Sequence, residues 1–369
     1  MINKIGQLLI IGLREKVLTQ DEAEFIITNN IGGVILFARN VESPKQIHEL
    51  VSSIQNLRHK THDKLPFFIG IDMEGGRVAR LKEPFTRWPP MGKIGKIEST
   101  SVAFKFAQSM ASELSAVGIN LDFAPCVDVL TNPKNAVIGD RSLSSDPETV
   151  AKLASALVRG LIKGGVIPCA KHFPGHGNTL LDSHEDLPIE EATLERLREV
   201  ELVPFKKVFR ARLDIVMTSH IKFPKVDADW PVTLSEKFLQ GVLRGELRYR
   251  GLVISDDLDM KALANNFSAE QIPVRALQAG CDILLYCNNF DKPPIAIAAI
   301  NKAVKEHSLS AQRLEESYSK VVALKKELLT KPDPQNIADS LKMIGSAEHL
   351  QLAAAIDSGS VPADLLATT

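Results

Sequence analysis

The sequence has 369 residues, of which 44% are hydrophobic and 24% are charged, so it holds enough apolar material for a large buried core. Its 44 basic and 45 acidic residues leave a net charge of −1, a balance that argues against nucleic acid or an anionic membrane surface as a partner. No apolar run approaches the roughly 20 residues that a membrane-spanning helix needs, and the run 8–13 is too short for a signal peptide.

The four cysteines, at positions 126, 169, 281 and 287, form no Cys-x-x-Cys pair. Three of them lie in or beside apolar, strand-like runs, where free cysteine usually behaves as a small buried hydrophobe. We therefore predict buried free thiols. Because free thiols are typical of reducing compartments, we also expect a cytoplasmic location.

Eight short runs, apolar at nearly every position, alternate with longer amphipathic stretches along the chain, as in strands whose two faces are both covered. We predict strands at residues 7–13, 33–37, 67–73, 118–123, 166–171, 214–218, 252–255 and 282–287. Helical periodicity predicts helices at residues 43–58, 100–116, 147–163, 194–212, 235–248, 269–279 and 311–329. The segment Ser145-Asp146-Pro147-Glu148 has the composition of a helix N-terminus.

Strands that alternate with helices eight times predict a single-domain α/β protein with a (β/α)8 TIM-type barrel. An open doubly wound sheet is the alternative, but the Gly-rich phosphate-binding fingerprint that would favour it does not follow the first predicted strand. We expect the catalytic barrel to occupy residues 1–332. Residues 333–369 are expected to form a C-terminal helix, at about 338–357, and a mobile tail.

Polar and glycine-rich motifs follow five of the predicted strands at their C-terminal ends, the rim where barrels of this type hold their active sites. Taken singly, each motif also has a structural explanation, but five together predict an active site. The motifs are Asp72-Met-Glu-Gly-Gly-Arg-Val-Ala-Arg80, Asp122-Phe-Ala-Pro with Asp128 and Gly139-Asp-Arg141, Lys171-His-Phe-Pro-Gly-His-Gly177 with Asp182-Ser-His184, Ser219-His220, and Ser255-Asp256-Asp257.

Spacing alone leaves two interpretations of Asp256. It is either a catalytic carboxylate at the end of a strand or the N-cap of a helix predicted over residues 258–265. Asp257 fits the cap better, because it lies one residue nearer to that helix. In the same way, Lys171 and His172 are either site residues or ordinary strand-end residues.

The histidines at 172, 176, 184 and 220 raise a second hypothesis, a metal-dependent barrel hydrolase. Zinc sites favour two histidines at i, i+4 on a helix, but here Pro174 and Gly175 lie between His172 and His176 and exclude a regular helix. We therefore expect no metal. A non-catalytic carbohydrate-binding protein is a third hypothesis, against which the full set of polar motifs argues.

These motifs resemble those of glycoside hydrolase family 3, and within it the single-domain bacterial β-N-acetylhexosaminidases (the β-N-acetylglucosaminidases of cell-wall recycling). The family's nucleophile signature is matched at residues 242–246 and by Gly251-Leu-Val-Ile-Ser-Asp256. The subfamily mark, Lys-His-Phe-Pro-Gly-His-Gly followed by Asp-Ser-His, stands at 171–177 and 182–184. The resemblance covers residues 5–330, with Met73 as a departure where glutamine is common in relatives.

The resemblance implies hydrolysis of a terminal β-linked N-acetylglucosamine with retention, in which Asp256 is the nucleophile and forms a covalent glycosyl-enzyme intermediate. It implies His184 as the acid/base, because histidine titrates near neutrality, and Asp182 as the residue that orients its ring. Arg77 and Asp122 stay open between contacts to sugar and a salt bridge that braces the rim, and His176 and His220 are expected to support the loop. The residues implied to bind the sugar are Asp72, Arg80, Arg141, Lys171 and His172.

The resemblance and the composition together favour a small soluble substrate, such as an N-acetylglucosaminyl-anhydromuramyl peptide. Only 5% of the residues are aromatic, whereas extended polysaccharide sites usually rely on aromatic platforms. We expect no metal or organic cofactor, no nucleic-acid or membrane partner, and a monomer. A family 3 β-glucosidase and a glycoside phosphorylase that uses phosphate in place of water are the alternatives within the family.

Overall fold

The fold is a closed barrel of eight parallel strands, seen in a computed structural model that describes residues 2–180, 186–334 and 336–366. Each of the eight predicted strands has its counterpart, and the predicted (β/α)8 barrel is confirmed. The barrel strands, in spatial order, are β1 (Leu9–Gly12), β10 (Ile283–Tyr286), β9 (Leu252–Asp257), β8 (Ile215–Thr218), β7 (Ile167–Phe173), β6 (Leu121–Asp122), β3 (Phe68–Ile71) and β2 (Gly33–Leu36).

A small antiparallel hairpin extends from the C-terminal end of β3. Its strands, β4 (Met73–Gly75) and β5 (Val78–Ala79), are joined by a turn at Gly76. Gly76 has a φ of 56°, a backbone conformation that glycine adopts without a steric penalty. A Cβ atom there would stand 2.6 Å from Cβ of Pro90. The hairpin folds the chain back so that both ends of the Asp72–Arg80 motif face the barrel mouth.

Helices cover the outside of the barrel. The helices are α1 (Ile2–Gln7), α2 (Gln20–Asn29), α3 (Pro44–Asn56), α4 (Met91–Ile97), α5 (Thr100–Ala116), α6 (Pro147–Lys163), α7 (Leu194–Glu199), α8 (Leu202–Arg210), α9 (Lys261–Ala264), α10 (Gln271–Ala279), α11 (Lys292–Lys305), α12 (Ala311–Leu328), α13 (Ile337–Met343) and α14 (Ala347–Ser358). A π-helix at Lys237–Glu246 lies between α8 and α9. Among the described residues, no helix combines the length and apolarity needed to cross a bilayer.

The starts of the helices follow the local chemistry of the sequence. The N-terminus predicted around Asp146 is confirmed, because the Asp146 carboxylate accepts a hydrogen bond from the backbone N–H of Thr149 at 2.7 Å and Pro147 is the first residue of α6. Ser43 caps α3 in the same way. These caps provide hydrogen-bond acceptors for backbone N–H groups in the first turns of α3 and α6.

Three predicted helices differ in the structure. The helix predicted over 194–212 is two helices, α7 and α8, because Pro204 lacks a backbone N–H and fits only in the first turn of a new helix. The helix predicted over 235–248 is the π-helix. The single helix predicted over 338–357 is broken into α13 and α14 at Gly345, whose φ is 61°.

Candidate active site

A cavity of about 280 Å³ opens at the C-terminal ends of the barrel strands. Apolar side chains from the strand ends, among them Ile35, Met217 and Leu285, form part of its wall. The polar part of the wall contains the predicted nucleophile and all five residues implied to bind sugar. These six residues are Asp72, Arg80, Arg141, Lys171, His172 and Asp256.

Lys171 joins two carboxylates, that of Asp72 in the cavity wall and that of Glu74 beneath it. Its Nζ atom lies 2.8 Å from Oδ1 of Asp72 and 2.7 Å from Oε1 of Glu74, and only 3% of its side chain is exposed. Burial opposes the charge on Lys171, but Asp72 and Glu74 outweigh burial and raise the pKa of the lysine. The pKa of Asp72 is lowered, because the charges of Lys171 and Arg80 overcome the opposing effect of burial.

Arg141 forms a two-pronged ion pair with Glu74. Its Nε donates to Oε2 of Glu74 at 2.9 Å and its Nη2 donates to Oε1 at 2.8 Å. Burial opposes ionisation of Glu74, yet the positive charges of Lys171 and Arg141 hold the pKa of the carboxyl well below its ordinary value. The result is an alternating chain of charges in which Arg80, Asp72, Lys171, Glu74 and Arg141 follow one another.

His172 is held by Asp128 on the side away from the cavity. Nδ1 of His172 lies 2.7 Å from Oδ2 of Asp128, and the Asp128 side chain is fully buried. Burial raises the pKa of Asp128, but the interactions with His172 and His176 reverse that effect and leave the pKa well below its ordinary value. The Lys171–His172 peptide bond is cis.

Asp256 stands near the end of β9, in the cavity wall. Its Oδ1 atom accepts a hydrogen bond from the backbone N–H of Asp257 at 2.8 Å. The helix-cap interpretation of Asp257 is wrong, because Asp257 is the last residue of β9 and α9 begins only at Lys261, after Met260.

The Asp257 carboxylate instead ties two loops together. Its Oδ1 atom accepts the backbone N–H groups of Asp259 and Cys287, each at 3.1 Å. Burial raises the pKa of Asp257 to about 6. Strand β9 continues two residues beyond the predicted strand 252–255, so that Asp256 and Asp257 belong to the barrel itself.

The predicted acid/base His184 and its partner Asp182 lie outside the described residues, which stop at Leu180 and resume at Asp186. The chain before this gap is anchored at His176, whose Nδ1 lies 2.7 Å from Oγ1 of Thr179 and whose backbone N–H donates to Asp128. Burial is the main cause that lowers the pKa of His176 to about 4. The chain after the gap is anchored where Glu190 donates its N–H to the carbonyl oxygen of Lys222.

The second histidine expected to support the loop, His220, is fully buried behind the end of β9. Its Nδ1 lies 2.7 Å from Oγ1 of Thr233, and its Nε2 lies 2.9 Å from the carbonyl oxygen of Asp257. These contacts join the loop after β8 to the strand that carries Asp256.

Of the two residues left open by the sequence, Arg77 forms a rim salt bridge, but with Asp140 rather than with Asp122. Nε of Arg77 lies 3.2 Å from Oδ1 of Asp140, and Nη2 donates to the carbonyl oxygens of Ala136 and Val137. Arg77 also lines the cavity. Asp122 is fully buried in the barrel, where it accepts the N–H of Met73 and where burial raises its pKa well above the ordinary value.

The metal hypothesis has one candidate cluster among the described residues. Cys126, Asp128 and His172 have potential ligand atoms within 4.8 Å of one another. However, Sγ of Cys126 donates to Oδ2 of Asp128 at 3.2 Å, the same oxygen that pairs with Nδ1 of His172. Burial and the charge of Asp128 raise the pKa of the Cys126 thiol well above its ordinary value, which opposes the thiolate that zinc prefers. We interpret the three residues as a hydrogen-bonded cluster.

Two residues of this site, Glu74 and Asp128, were not among the predicted site residues. Both belong to the motifs that led to the site, but neither lines the cavity, and their contacts are made beneath it. An acidic residue two positions after a motif aspartate is the signal that could have marked Glu74.

The chain is similar to known proteins over most of its length. The family model described as "Glycosyl hydrolase family 3 N terminal domain" matches residues 1–324. The chain is 36% identical to a beta-hexosaminidase of Methylobacillus flagellatus over 342 residues, which cover 90% of this chain and 94% of that protein.

Solved structures show the same likeness. A glycoside hydrolase family 3 β-N-acetylglucosaminidase from a Paenibacillus species superposes with a TM-score of 0.91 at 34% identity, covering 98% of this chain and 68% of that chain. NagZ from Neisseria gonorrhoeae, solved in complex with N-trifluoroacetyl-D-glucosamine, superposes with a TM-score of 0.76 at 30% identity, covering 96% of this chain and 98% of that chain.

Proposed function

Because the chain belongs to glycosyl hydrolase family 3 and is a glycoside hydrolase of the β-N-acetylhexosaminidase type, we propose that it removes terminal β-linked N-acetylglucosamine with retention of configuration. The observation that carries this proposal is the position of Asp256 in the wall of a small cavity that is also lined by the charged side chains of Asp72, Arg80, Arg141 and Lys171. A cavity of about 280 Å³ lies at the small end of the range for ligand pockets. It suits a single terminal sugar ring.

In the proposed first step, the Asp256 carboxylate attacks the anomeric carbon while the bond to the leaving oxygen breaks. A carboxylate suits this step because it is anionic at neutral pH and stabilises the positive charge that develops on the sugar ring. The backbone N–H of Asp257 holds one oxygen of Asp256 at 2.8 Å. This hydrogen bond supports a fixed orientation of the nucleophile.

The proposed acid/base is His184, with Asp182 orienting its ring. His184 donates a proton to the leaving oxygen in the first step and accepts one from water in the second, when the ester bond to Asp256 breaks. Histidine performs both transfers near neutral pH without a strongly shifted pKa. The support for this assignment is the Asp-Ser-His motif at 182–184.

The sugar hydroxyls and the acetamido group are proposed to bind to Asp72, Arg80, Arg141, Lys171 and His172. Nε of Arg80 is buried and has no hydrogen-bond partner within the described ranges, and Arg80 lines the cavity, so this donor needs an acceptor. A buried donor left unpaired costs about 1–3 kcal/mol. A sugar oxygen that accepts a hydrogen bond from this nitrogen therefore increases both the affinity and the selectivity of the site for that sugar.

The proposed natural substrate is a short soluble one, such as an N-acetylglucosaminyl-anhydromuramyl peptide from cell-wall recycling, processed in the cytoplasm by a monomer. The small cavity volume and the 5% aromatic content support a short substrate. The four cysteines are all buried free thiols, which supports a reducing compartment.

The substrate proposal is tested by rates on p-nitrophenyl N-acetyl-β-glucosaminide and p-nitrophenyl β-glucoside, each with and without phosphate. We expect the acetamido sugar to react faster by more than tenfold, phosphate to leave that rate unchanged, and prior dialysis against EDTA to have no effect. A preference for the glucoside would indicate a β-glucosidase. Acceleration by phosphate with release of a sugar phosphate would indicate a phosphorylase, and loss of activity with EDTA would restore the metal hypothesis.

The catalytic roles are tested by Asp256→Ala and His184→Ala. Asp256→Ala should reduce turnover of every substrate by about 10⁴-fold or more. His184→Ala should slow substrates with poor leaving groups by about 10²–10⁴-fold and p-nitrophenyl substrates far less. Asp146→Asn is the control, because asparagine also caps a helix well. Equal losses for His184→Ala on both leaving groups would exclude His184 as the acid.

A further inference from the structure

Asp128 collects four hydrogen-bond donors at a fully buried carboxylate behind the sugar-binding wall. Its Oδ1 atom accepts the backbone N–H of His172 at 3.2 Å and that of His176 at 2.7 Å. Its Oδ2 atom lies 2.7 Å from Nδ1 of His172 and 3.2 Å from Sγ of Cys126. The carboxylate therefore fixes both the backbone and the ring of His172.

The opposite ring nitrogen of His172 lies next to Arg141, and both residues line the cavity. Nε2 of His172 lies 3.5 Å from Nη2 of Arg141, at the outer limit of a hydrogen bond. A guanidinium group carries only donors, so a proton on Nε2 would point at like charge. A carboxylate carries only acceptors, so the hydrogen bond at Nδ1 requires a proton there. Both contacts favour the same tautomer.

We propose that Asp128 is a positioning residue that keeps the proton of His172 on Nδ1 and so makes Nε2 an acceptor for a sugar hydroxyl in the cavity. The identity of the hydroxyl donor rests on the proposed function, whereas the tautomer rests on the contacts alone. In the cavity wall this acceptor lies among the donors Arg80, Arg141 and Lys171. Nε2 of His172 therefore adds an acceptor beside these donors, and a substrate hydroxyl can donate a hydrogen bond to it.

A purely structural role for Asp128 is the competing explanation, since the same carboxylate also holds the backbone of His176. Asp128→Asn separates the two. The amide oxygen keeps the two backbone N–H groups, while the amide nitrogen now donates toward Nδ1 of His172. Nδ1 must then accept, and the proton moves to Nε2. The fold is retained, but the group that faces the sugar changes from an acceptor to a donor.

The tautomer is measured directly in long-range ¹H–¹⁵N spectra of protein labelled with ¹⁵N-histidine, without substrate, with the His172 signal identified by its loss in His172→Gln. We expect the Nδ1–H pattern in the wild type and the Nε2–H pattern in Asp128→Asn. An Nε2–H pattern in the wild type overturns the proposal, whether or not Asp128→Asn folds. An unchanged Nδ1–H pattern in folded Asp128→Asn overturns it as well.

Kinetics supply the second readout. We expect Asp128→Asn to lower kcat/KM for p-nitrophenyl N-acetyl-β-glucosaminide at least tenfold, mainly through KM, whereas the matched change Asp146→Asn at the α6 cap stays within twofold. A switched tautomer with unchanged kcat/KM overturns the proposed role in sugar binding. If the wild type does not hydrolyse this substrate at all, the proposed function fails, and the spectra still decide the tautomer.

Discussion

Glu74 is a buried carboxylate with 1% exposure, and two cations contact it. An isolated ion at such a depth would be very unfavourable, and only close partners make it tolerable. Arg141 supplies two hydrogen bonds and Lys171 supplies a third contact. The positions of both cations in the cavity wall therefore depend on a residue that does not line the cavity.

Glu74→Gln should destabilise the protein, since it removes the negative charge and leaves Lys171 and Arg141 with too little compensation. Breaking a buried pair by removing one partner costs about 3–5 kcal/mol, so urea unfolding should show a loss of roughly 3 kcal/mol in the free energy of unfolding. KM for the N-acetylglucosaminide should also rise as the two cations move.

Glu83→Gln is the matched control, because Glu83 is 77% exposed and lies 3.8 Å from Arg87. A surface change of this kind should shift the free energy of unfolding by less than about 0.5 kcal/mol. Similar stability for Glu74→Gln and Glu83→Gln would show that the buried ion pairs contribute little.

The residues in the cavity wall were easier to predict from the sequence than the residues beneath it. The motifs that contain Asp72, Lys171 and Asp256 could be placed together because the C-terminal ends of parallel strands meet at one rim, and the family resemblance singled out these residues within the motifs. The functions of Glu74 and Asp128 depend on which way each side chain points after its strand ends. That direction is set by the β4–β5 hairpin and by the loop after β6, whose conformations have no periodic signal in the sequence.

One carboxylate on α5 contacts both the break between helices α13 and α14 and helix α14 itself. Glu113 accepts the N–H and the hydroxyl of Thr86, the N–H of Gly345 and a hydrogen bond from Nδ1 of His349. The Glu113 side chain is 2% exposed. Thus one buried acceptor joins the segment before α4, the break between α13 and α14, and α14 itself.

Glu113→Ala should loosen α13 and α14 without unfolding the barrel. Each donor left unpaired in the interior costs about 1–3 kcal/mol, so amide hydrogen exchange in residues 337–358 should accelerate by at least about tenfold. Exchange in the barrel strand β3 is the internal reference and should not change.

Lys342→Ala is the matched control, because Lys342 on α13 is 78% exposed and pairs at 2.9 Å with Asp339, which is 64% exposed. Exposed ion pairs contribute at most about 1 kcal/mol, so its effect on exchange in residues 337–358 should be smaller than that of Glu113→Ala. Unchanged exchange in Glu113→Ala would mean that apolar contacts alone hold the two helices.

At the scale of the whole molecule, the barrel could be predicted because the strands of a parallel sheet covered on both faces are apolar at nearly every position. Every residue of β2, β3 and β8 is buried, so each strand appears in the sequence as an apolar run. The helices were harder to predict from the sequence. The helix α11 begins with Lys292-Pro293-Pro294, a composition that resembles a loop, although proline is well tolerated in a first turn.

The end of the barrel opposite the site buries a lysine against neutral acceptors. Nζ of Lys325 lies 2.8 Å from Oε1 of Gln7 and 2.6 Å from the carbonyl oxygen of Gly32, and the lysine is 1% exposed. It also lies 4.9 Å from the centre of the Phe68 ring. Burial lowers the pKa of Lys325 to about 7, and the charge of Asp63 offsets only part of that effect.

This lowered pKa makes the stability of the whole protein depend on pH. In the unfolded chain a lysine keeps its proton up to about pH 10.4, whereas folded Lys325 loses it near pH 7. Between these values the unfolded state binds more protons, so the contribution of Lys325 to the free energy of unfolding increases as pH rises. The buried cysteines act in the opposite direction above about pH 8.5, because burial raises their pKa values.

Lys325→Met should therefore remove a positive pH slope between pH 7.0 and 8.5. Over this window the free energy of unfolding of the wild type, measured in urea, should rise relative to that of Lys325→Met by about 1.5 kcal/mol. Lys326→Met, at the exposed next position of α12, should retain the wild-type slope. Taking the difference between variants cancels the cysteines and histidines, which titrate alike in each protein. A difference that stays constant with pH would show that Lys325 keeps its proton throughout, and that the two neutral oxygens and the Phe68 ring stabilise its charge.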